Sequence, residues 1–459
     1  MAELNVLQIF NISSADIADI RANGEWTAIL PRLPDASCGI RIEAEFAPVA
    51  AGNDVCAVFA VQISQSEKIT ESAPVMTFPA RYGKQYRVVL ESCALIDPAL
   101  PGSLTVRRLT GDPNDNFGGE CAIEGMIITA LQAPSPSSVV EDSPGYNSWP
   151  MCQSLNNLIV CAYSRGRAHN IYEPCRAVYA RVSADGGTSW QEETPVCNTP
   201  EHADVTIGKG LDENGNMLLW VRRGGKDGFH HALYRTGDGK KFESICEIDL
   251  PCDVIQITDI LHIPTVGLMA FYFGGSYQQG SLNYWGKLVS SDGGVSWQNT
   301  VIERNIPIAE WPTEPSAVYL GNGRILVIAR NELKENTTRR RQFQLTSCDY
   351  GNSWRKAFTN ITDVNISTPA LLYDAESQVV SCCYFHRGKG VLNRRRAQVE
   401  DIFDSPLNWP PPETVAIGSC EVCEAGNVNA TTLGGKHILA YYSGAMPNPA
   451  VYVKTLDAN

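Results

Sequence analysis

One eight-residue phrase occurs three times in this chain of 459 residues and limits its possible folds more than any other feature. The copies begin at Ser183, Ser290 and Ser347 and share the form Ser-x-Asp-x-Gly-x-Ser-Trp. A less complete copy begins at Thr236. The aspartates of the four copies, which are spaced 53, 54 and 57 residues apart, are Asp185, Asp238, Asp292 and Asp349. This regular spacing indicates that one structural unit repeats along the chain.

The phrase has the composition of a rigid turn between two strands. Asp and Ser side chains bond to nearby backbone groups, and Gly adopts the positive φ angles that tight turns need. The final Trp supplies a large apolar side chain that can hold the turn against a blade. A unit of about 50 residues that contains several short strands is typical of a β-propeller.

The phrase resembles the Asp box, or bacterial neuraminidase repeat, of the sialidase superfamily. This resemblance implies a propeller whose boxes lie away from a ligand site at one mouth of the central channel. Strand-like segments at a similar phase of the repeat predict six blades. They are 158–163, 217–221, 268–273, 324–329, 379–384 and 437–442.

The sequence predicts two domains. Residues 1–132 contain no copy of the phrase and show short alternating strands, which predicts an N-terminal β-sandwich or jelly roll. Residues 133–138, Ala-Pro-Ser-Pro-Ser-Ser, predict a linker. Residues 139–459 have room for six repeats and predict the propeller. The predicted fold class is therefore all-β, a six-bladed sialidase-like propeller preceded by a β-sandwich.

Charge and hydropathy exclude several classes of protein. The net charge of −13 argues against a general nucleic-acid-binding protein, which needs a basic surface. No apolar run reaches the roughly 18 residues of a membrane span. The first residues lack the basic and apolar segments of a signal peptide. We therefore expect synthesis in the cytoplasm and no membrane partner.

The 15 cysteines are an odd number and are scattered through strand-like segments, which predicts mostly reduced, buried thiols. Cys420 and Cys423 have CxxC spacing, but no second pair or His partner follows at the spacing of a zinc site. We expect no metal site and no cofactor.

Two residues of one repeat match the ligand site that the resemblance implies. Glu314 begins a predicted strand, residues 321–323 turn the chain, and the return strand ends at Arg330. An antiparallel pair brings these two ends together. The resemblance implies that Glu314 is a pocket carboxylate, here a candidate catalytic residue, and that Arg330 binds a substrate carboxylate. Trp311, just before Glu314, is a candidate for packing against a sugar ring.

Further candidates are arginines, because a guanidinium group binds a carboxylate through two hydrogen bonds. The resemblance implies a pocket arginine in the next blade, which one of Arg387, Arg394 and Arg395 matches. Arg165, in the first repeat, also resembles a sialidase arginine. For Arg387, Arg394 and Arg395, a solvated loop is the alternative.

Two departures from the sialidase pattern concern catalysis. The resemblance implies a nucleophilic tyrosine in the last repeat, but segment 413–436 contains none. It also implies an Arg-Ile-Pro phrase in the first repeat, where residues 146–150 contain no arginine. Asp204 and Glu424 are therefore candidates for a non-standard acid–base pair with Glu314.

The last repeat adds two candidate contacts to a sugar. Asn427 follows Glu424 in the segment that matches the missing nucleophile. Tyr441 lies in the predicted final hairpin, next to Tyr442, and both rings could face a sugar, as could Trp149.

Three functions remain open on the sequence alone. The first is recognition of a carbohydrate, with an acidic sugar as one candidate, by a protein similar to the sialidase-like propellers of bacteriophage tails and virions. The N-terminal domain would then contact a virion or a second copy of the chain. The second is an exo-acting glycoside hydrolase with a rearranged carboxylate pair. The third is an assembly module without a ligand, and fold alone cannot choose among the three.

Overall fold

The computed structural model describes residues 8–46, 55–65, 68–78, 86–93, 96–108, 123–226, 228–250, 252–278, 280–332, 341–421 and 424–458. In these residues the first eight strands form two four-stranded antiparallel sheets. Their bounds are β1 Gln8–Ile12, β2 Glu25–Leu30, β3 Ser37–Phe46, β4 Val55–Gln65, β5 Lys68–Phe78, β6 Tyr86–Ser92, β7 Gly102–Arg108 and β8 Ile123–Gln132.

One sheet has the strand order β1–β8–β3–β6, and the other has the order β2–β7–β4–β5. Apolar side chains from both sheets, such as Ile42, Leu104 and Ile128, are buried together and form the core of this sandwich. Helix α1 (Ser14–Asn23) joins the first two strands. It begins with a capping box, in which the side chains of Ser13 and Asp16 each bond to the other residue's backbone nitrogen.

The remaining strands form six four-stranded blades. They are β9 Ser138–Glu141, β10 Tyr146–Leu155, β11 Leu158–Gly166, β12 Ala177–Ser183, β13 Thr194–Cys197, β14 Ala203–Leu211, β15 Met217–Gly225, β16 Gly228–Thr236, β17 Glu243–Ile248, β18 Thr258–Ile263, β19 Gly267–Gly274, β20 Asn283–Ser290, β21 Gln298–Ile306, β22 Pro312–Gly321, β23 Arg324–Asn331, β24 Phe343–Ser347, β25 Arg355–Phe358, β26 Ala370–Asp374, β27 Val379–His386, β28 Val391–Gln398, β29 Glu413–Ile417, β30 Ala425–Leu433, β31 Lys436–Ser443 and β32 Ala450–Asp457. Two short helices, the 3-10 helix Ile308–Glu310 and α2 (Val399–Ile402), lie between strands.

Blades 1 to 5 each use four consecutive strands, starting with β10, whereas blade 6 consists of β30, β31, β32 and β9. Parallel pairing of β14 with β18 joins blades 2 and 3 into one eight-stranded sheet. Strand β9 pairs antiparallel with β32, so the strand that precedes the first blade completes the last one and closes the ring. The predicted fold class is confirmed. Strand β8 ends at Gln132 and β9 begins at Ser138, while the division of the chain into domains there stays a prediction.

The repeated phrase forms the turn between the third and fourth strands of blades 1 to 4. In blade 3, Asp292 accepts hydrogen bonds from the hydroxyl of Ser290 (2.7 Å) and from the backbone nitrogen and hydroxyl of Ser296 (2.9 and 2.6 Å). Gly294 has a φ of 97°, and a Cβ there would lie 2.7 Å from Leu233 of blade 2. Only glycine satisfies both constraints without strain.

The tryptophan of each turn contacts the preceding blade. Trp297 of blade 3 packs edge-on against Trp220 of blade 2, with 4.9 Å between the ring centroids. Trp354 of blade 4 does the same with Trp285 of blade 3 at 5.4 Å. The repeated turns therefore join neighbouring blades as well as neighbouring strands.

The first strand of several blades contains a bulge where it passes the channel. The pairing register shifts in β10, β22 and β30, and at these shifts Trp149, Glu314 and Asn427 have φ angles of 50°, 47° and 44°. Bulges redirect side chains, and left-handed backbone in non-glycine residues occurs where the surrounding fold imposes it. Here the bulges turn these three side chains towards the channel mouth.

Twelve cysteines are free thiols among the residues described, where no disulfide occurs; Cys423 lies outside those residues. No helix in the described ranges has both the length and the apolarity to cross a bilayer.

Candidate functional site

A cavity of about 410 Å³ lies at one mouth of the propeller channel and is called the channel cavity below. All six blades contribute to its wall, which places it on the propeller axis. One lining residue from each blade, in order, is Trp149, Arg222, Tyr277, Glu314, Arg387 and Asn427. Below it, Lys209 of blade 2 crosses the channel to Asp259 of blade 3 (3.1 Å) and to the carbonyl of Ala430 of blade 6 (3.0 Å). Lys209, Asp259 and Ala430 line a different cavity, to which all six blades also contribute.

One wall of the cavity carries two carboxylates around a single guanidinium group. Arg330 Nη1 donates to Glu314 (2.7 Å), and its Nη2 donates to Glu332 (3.0 Å). The hydroxyl of Thr313 donates to Glu332 (2.6 Å), and that of Thr368 donates to Glu314. Burial alone would lower the pKa of Arg330, but the two carboxylates outweigh it and raise the pKa. The positive charge of Arg330 is therefore already compensated.

Arg222 and Arg387 are different, because neither has a carboxylate within ion-pair distance among the described residues. Arg387, which is 5% exposed, donates to the carbonyls of Ala425 and Ile366 and to Asn427 Oδ1 (3.1 Å). Arg222 is 3% exposed and donates through Nη1 to one carbonyl, whereas its Nε has no hydrogen-bond partner. Burial lowers the pKa of Arg222 to about 10. Arg222 therefore keeps its charge at neutral pH.

Aromatic rings form another part of the wall. Trp149 lies at its bulge with the guanidinium of Arg176 at 4.5 Å from the ring centroid. Tyr277, which is 37% exposed, packs against Trp311 (5.3 Å between centroids), and Phe273 packs against the same tryptophan (5.4 Å). The cavity thus combines apolar ring faces with buried cations and carboxylates.

Five of the residues predicted from the sequence line the channel cavity. They are Trp149, Glu314, Arg330, Arg387 and Asn427. The structure therefore brings together the predicted Glu–Arg pair of blade 4 with one of the three arginines proposed for blade 5.

The other two arginines of blade 5 lie in its third strand, β28, and have structural partners. Arg394 donates to Glu413 (2.8 Å). Arg395 donates to Asp363, and Tyr384 donates to the same carboxylate (2.8 Å). Neither lines the cavity, and their placement does not support a role in ligand binding.

Arg165 also lies in an ion network away from the cavity wall. Its Nη2 is 2.5 Å from Glu193 and 3.0 Å from Glu141, and its Nε donates to Asn147 (2.8 Å). With two carboxylates already in contact, it has little charge left for a ligand. Its placement supports a structural role.

The two further carboxylates proposed as catalytic do not line the cavity. Asp204 is fully buried, accepts a hydrogen bond from the backbone of Thr199 (2.7 Å), and lies 3.8 Å from Arg223; burial raises its pKa. Successive strand residues point to opposite faces, so Val205, not Asp204, faces the cavity. Glu424 is buried and its Oε2 has no hydrogen-bond partner.

Two predicted aromatic contacts support the wall without forming it. Trp311 is fully buried and donates its ring N–H to the carbonyl of Tyr284 (3.0 Å). Tyr441 is buried, and its hydroxyl pairs with Ser137 (2.9 Å). Its neighbour Tyr442 points the other way and accepts a hydrogen bond from Arg387 (3.1 Å).

Arg222, Glu332 and Tyr277 also line the cavity, and none of them was predicted from the sequence. A positional signal exists for the first two. Arg222 lies near the end of β15, the second strand of its blade, as Arg330 does in β23. Glu332 follows Arg330 by two residues and therefore shares its face. Tyr277 lies in a loop and has no such signal.

The tyrosines near the cavity have raised pKa values. Burial raises the pKa of Tyr277 well above its usual range, and Glu332 adds to the effect. Burial, with Tyr442 and Glu424 nearby, raises the pKa of Tyr146, and burial also raises that of Tyr442. An activated nucleophile needs a lowered pKa or an adjacent free base. All three hydroxyls are protonated at neutral pH.

Within the described ranges, no group of three or more His, Cys, Asp or Glu side chains is arranged to hold a metal ion.

No protein-family model and no curated protein matches this sequence. Solved structures do match. One is a protein of unknown function from Dyadobacter fermentans; the aligned region includes 71% of this chain and 99% of that protein, at 14% identity and a TM-score of 0.59. Another is the NanB sialidase of Streptococcus pneumoniae; the aligned region includes 98% of each chain, at 10% identity and a TM-score of 0.51. A third is a Trypanosoma rangeli sialidase in complex with the inhibitor DANA; the aligned region includes 71% of this chain and 58% of that sialidase, at 12% identity and a TM-score of 0.50. At these identities the likeness concerns architecture alone, and the chain has a sialidase-like fold.

Proposed function

We propose that the protein binds an acidic glycan in the channel cavity, with the anionic group of a terminal sugar between Arg222 and Arg387. One observation carries the proposal: two buried guanidinium groups line the cavity, and the described residues place no carboxylate in ion-pair contact with either. A buried charge without a counter-charge is costly. A ligand carboxylate or sulfate would supply that counter-charge.

The rest of the cavity suits a sugar. Its volume of about 410 Å³ falls in the range of small-molecule sites. The rings of Trp149 and Tyr277 offer apolar faces for the C–H side of a pyranose. Asn170, Gln256 and Asn427 offer amides that can bond to hydroxyl groups.

Binding is favoured over turnover by the state of the possible catalytic groups. Glu314 and Glu332, the two carboxylates of the wall, are both held by Arg330. The nearby tyrosines have raised pKa values, so each would need an adjacent carboxylate, as Glu424 is to Tyr146, to take its proton before it could attack. An exo-acting glycoside hydrolase is the second candidate, because two carboxylates do lie together in the cavity. Release of the aglycone from aryl glycosides of acidic sugars would identify it.

The resemblance of segments 424–429 and 441–444 to the sialidase-like propellers of bacteriophage tails and virions supports a further proposal, that binding serves attachment of such a particle to its receptor. The N-terminal sandwich would then contact the particle or a second copy of the chain. An assembly module without a ligand is the outcome if no glycan binds.

The test is a glycan array that includes sialylated, uronic-acid-terminated and neutral oligosaccharides, followed by calorimetric titration of the strongest sialylated or uronic-acid-terminated binder. Arg222→Met removes the unpaired charge and keeps the length of the side chain. We expect it to weaken binding by about 10- to 150-fold, the equivalent of roughly 1.5–3 kcal/mol for a charge-assisted contact.

Arg304→Met is the matched control, since Arg304 is exposed in an outer strand of blade 3. It should leave the affinity unchanged. A preference of the array for neutral glycans, or equal affinities of Arg222→Met and the parent protein, would contradict the proposal.

A further inference from the structure

A second, larger cavity lies beside the channel cavity and is not part of it. It has a volume of about 790 Å³ and is lined by Tyr172, Pro174, Glu201, His202, Gly225 and Lys226; it is called the outer groove below. Its residues come from the long loop of blade 1, the segment that leads into blade 2, and the hairpin between β15 and β16.

Stacked side chains connect the two cavities. Arg222, which lines the channel cavity, lies 4.5 Å from the ring centroid of Phe229. Phe229 in turn stacks on Tyr172 of the outer groove, with 5.5 Å between centroids and 13° between the ring planes. Ile171 lines the channel cavity and the next residue, Tyr172, lines the outer groove, so the two cavities are adjacent at this point of the chain.

The groove is held in shape by hydrogen bonds within the blade 1 loop. The backbone nitrogen of Tyr172 donates to Asn170 Oδ1 (2.9 Å), and Arg176 Nε donates to the carbonyl of Asn170 (3.1 Å). Gly224 allows the neighbouring hairpin to approach, because a Cβ there would lie 2.5 Å from the carbonyl oxygen of Ile171. A loop fixed in this way loses little conformational entropy when a ligand binds.

The chemistry of the groove is that of a neutral sugar site. One face of Tyr172 packs on Phe229, yet 52% of the residue stays exposed, so it offers an aromatic surface to the apolar face of a pyranose. Glu201 and Lys226 are exposed at the groove and can accept from and donate to hydroxyl groups. Opposite charges at the two positions give no preference for an anion or a cation.

We propose that the outer groove is a second sugar subsite, so that the ligand is an oligosaccharide whose acidic terminal sugar occupies the channel cavity while the next, neutral sugar packs on Tyr172. This inference rests on the proposed glycan binding. The protein would then recognise the sugar next to the terminal one and would bind an oligosaccharide more tightly than the terminal monosaccharide alone.

The test compares two probes, sialyllactose and the methyl glycoside of sialic acid, by calorimetric titration. If neither binds, glucuronic acid linked to a neutral disaccharide and methyl glucuronide replace them. The parent protein should bind the oligosaccharide about 10-fold more tightly than the monosaccharide, a difference that corresponds to one good stacking contact. Tyr172→Ala should abolish this difference by weakening the oligosaccharide alone, and Tyr172→Phe should restore it.

Phe358→Ala is the matched control, because Phe358 is also exposed (39%) and stacked, on Phe343 at 4.7 Å, but lies in an outer strand of blade 4. It should change neither affinity. Arg222→Met should weaken both probes, which separates the two proposals. If both probes bind and Tyr172→Ala leaves the preference for the oligosaccharide intact, the second subsite is wrong while the channel site stands. If no acidic glycan binds, both are wrong.

Discussion

Removing the carboxylate of Asp363 should destabilise the propeller strongly, and removing Arg395 together with it should restore most of the loss. Asp363 is fully buried and accepts hydrogen bonds from Arg395, from the hydroxyl of Tyr384 (2.8 Å) and from Asn393 Nδ2 (2.9 Å). Arg395 is 4% exposed. Burial alone would lower the pKa of Arg395, but Asp363 and Tyr384 raise it.

The magnitude follows from the environment of the pair. Asp363→Ala leaves the guanidinium of Arg395 buried without the carboxylate that compensates it, which costs about 3–5 kcal/mol in the free energy of unfolding. The double variant Asp363→Ala/Arg395→Met buries no unpaired charge, so we expect it within about 2 kcal/mol of the parent protein. The double variant should therefore be more stable than Asp363→Ala.

Urea denaturation followed by tryptophan fluorescence measures these differences. Glu376→Ala is the matched control, since Glu376 is an exposed carboxylate in the same blade, and it should change stability by less than about 0.5 kcal/mol. A loss below about 1 kcal/mol in Asp363→Ala, or a double variant no more stable than that single variant, would refute the reasoning. Arg395→Met in a folded protein should also leave glycan affinity unchanged, because Arg395 does not line the channel cavity.

Three further predictions concern other parts of the molecule. Trp297→Ala should lower the free energy of unfolding by about 2–3 kcal/mol in the same urea experiment, because half-buried Trp297 joins two blades through Trp220; an unchanged midpoint would show that the turns do not stabilise the ring. The thiol of Cys420 lies 3.5 Å from that of Cys93, whose hydrogen bond, with help from Lys389, lowers the pKa of Cys420. Its alkylation by iodoacetamide, measured by peptide mass spectrometry, should therefore reach half its maximal rate below about pH 8.5, the pKa of an ordinary thiol, and a midpoint above that pH would contradict this. Hydrogen bonds from Ser296 and then Ser290 lower the pKa of Asp292 to about 2, below its value in the unfolded chain, so its contribution to stability is present above about pH 4 and is lost as the pH falls towards 2. The stability advantage of the parent protein over Asp292→Asn should shrink across that range, and a constant advantage would be the opposite result.

The architecture was predictable from the sequence. The repeated turn phrase contains its own hydrogen-bond donors and acceptors, so its conformation depends on neighbours within a few residues, and its spacing counts the blades. The pairing of Glu314 with Arg330 was predictable for the same reason, because one hairpin contains both residues and fixes their distance.

Which of the other charged residues face the channel cavity depends on contacts between distant parts of the chain. Arg387, Arg394 and Arg395 are equivalent on the sequence, but the partners that engage the last two, Glu413 and Asp363, come from other strands and loops.

The choice between adjacent residues was also made by tertiary contacts. Asp204 and Val205, or Tyr441 and Tyr442, differ only in the phase of strand alternation relative to the channel. That phase is set where closure of the ring brings the first strands of the six blades together, and no local pattern in the chain records it. Arg222 faces the channel for this reason. That its guanidinium Nε has no hydrogen-bond partner is evident only when the positions of the surrounding blades are known.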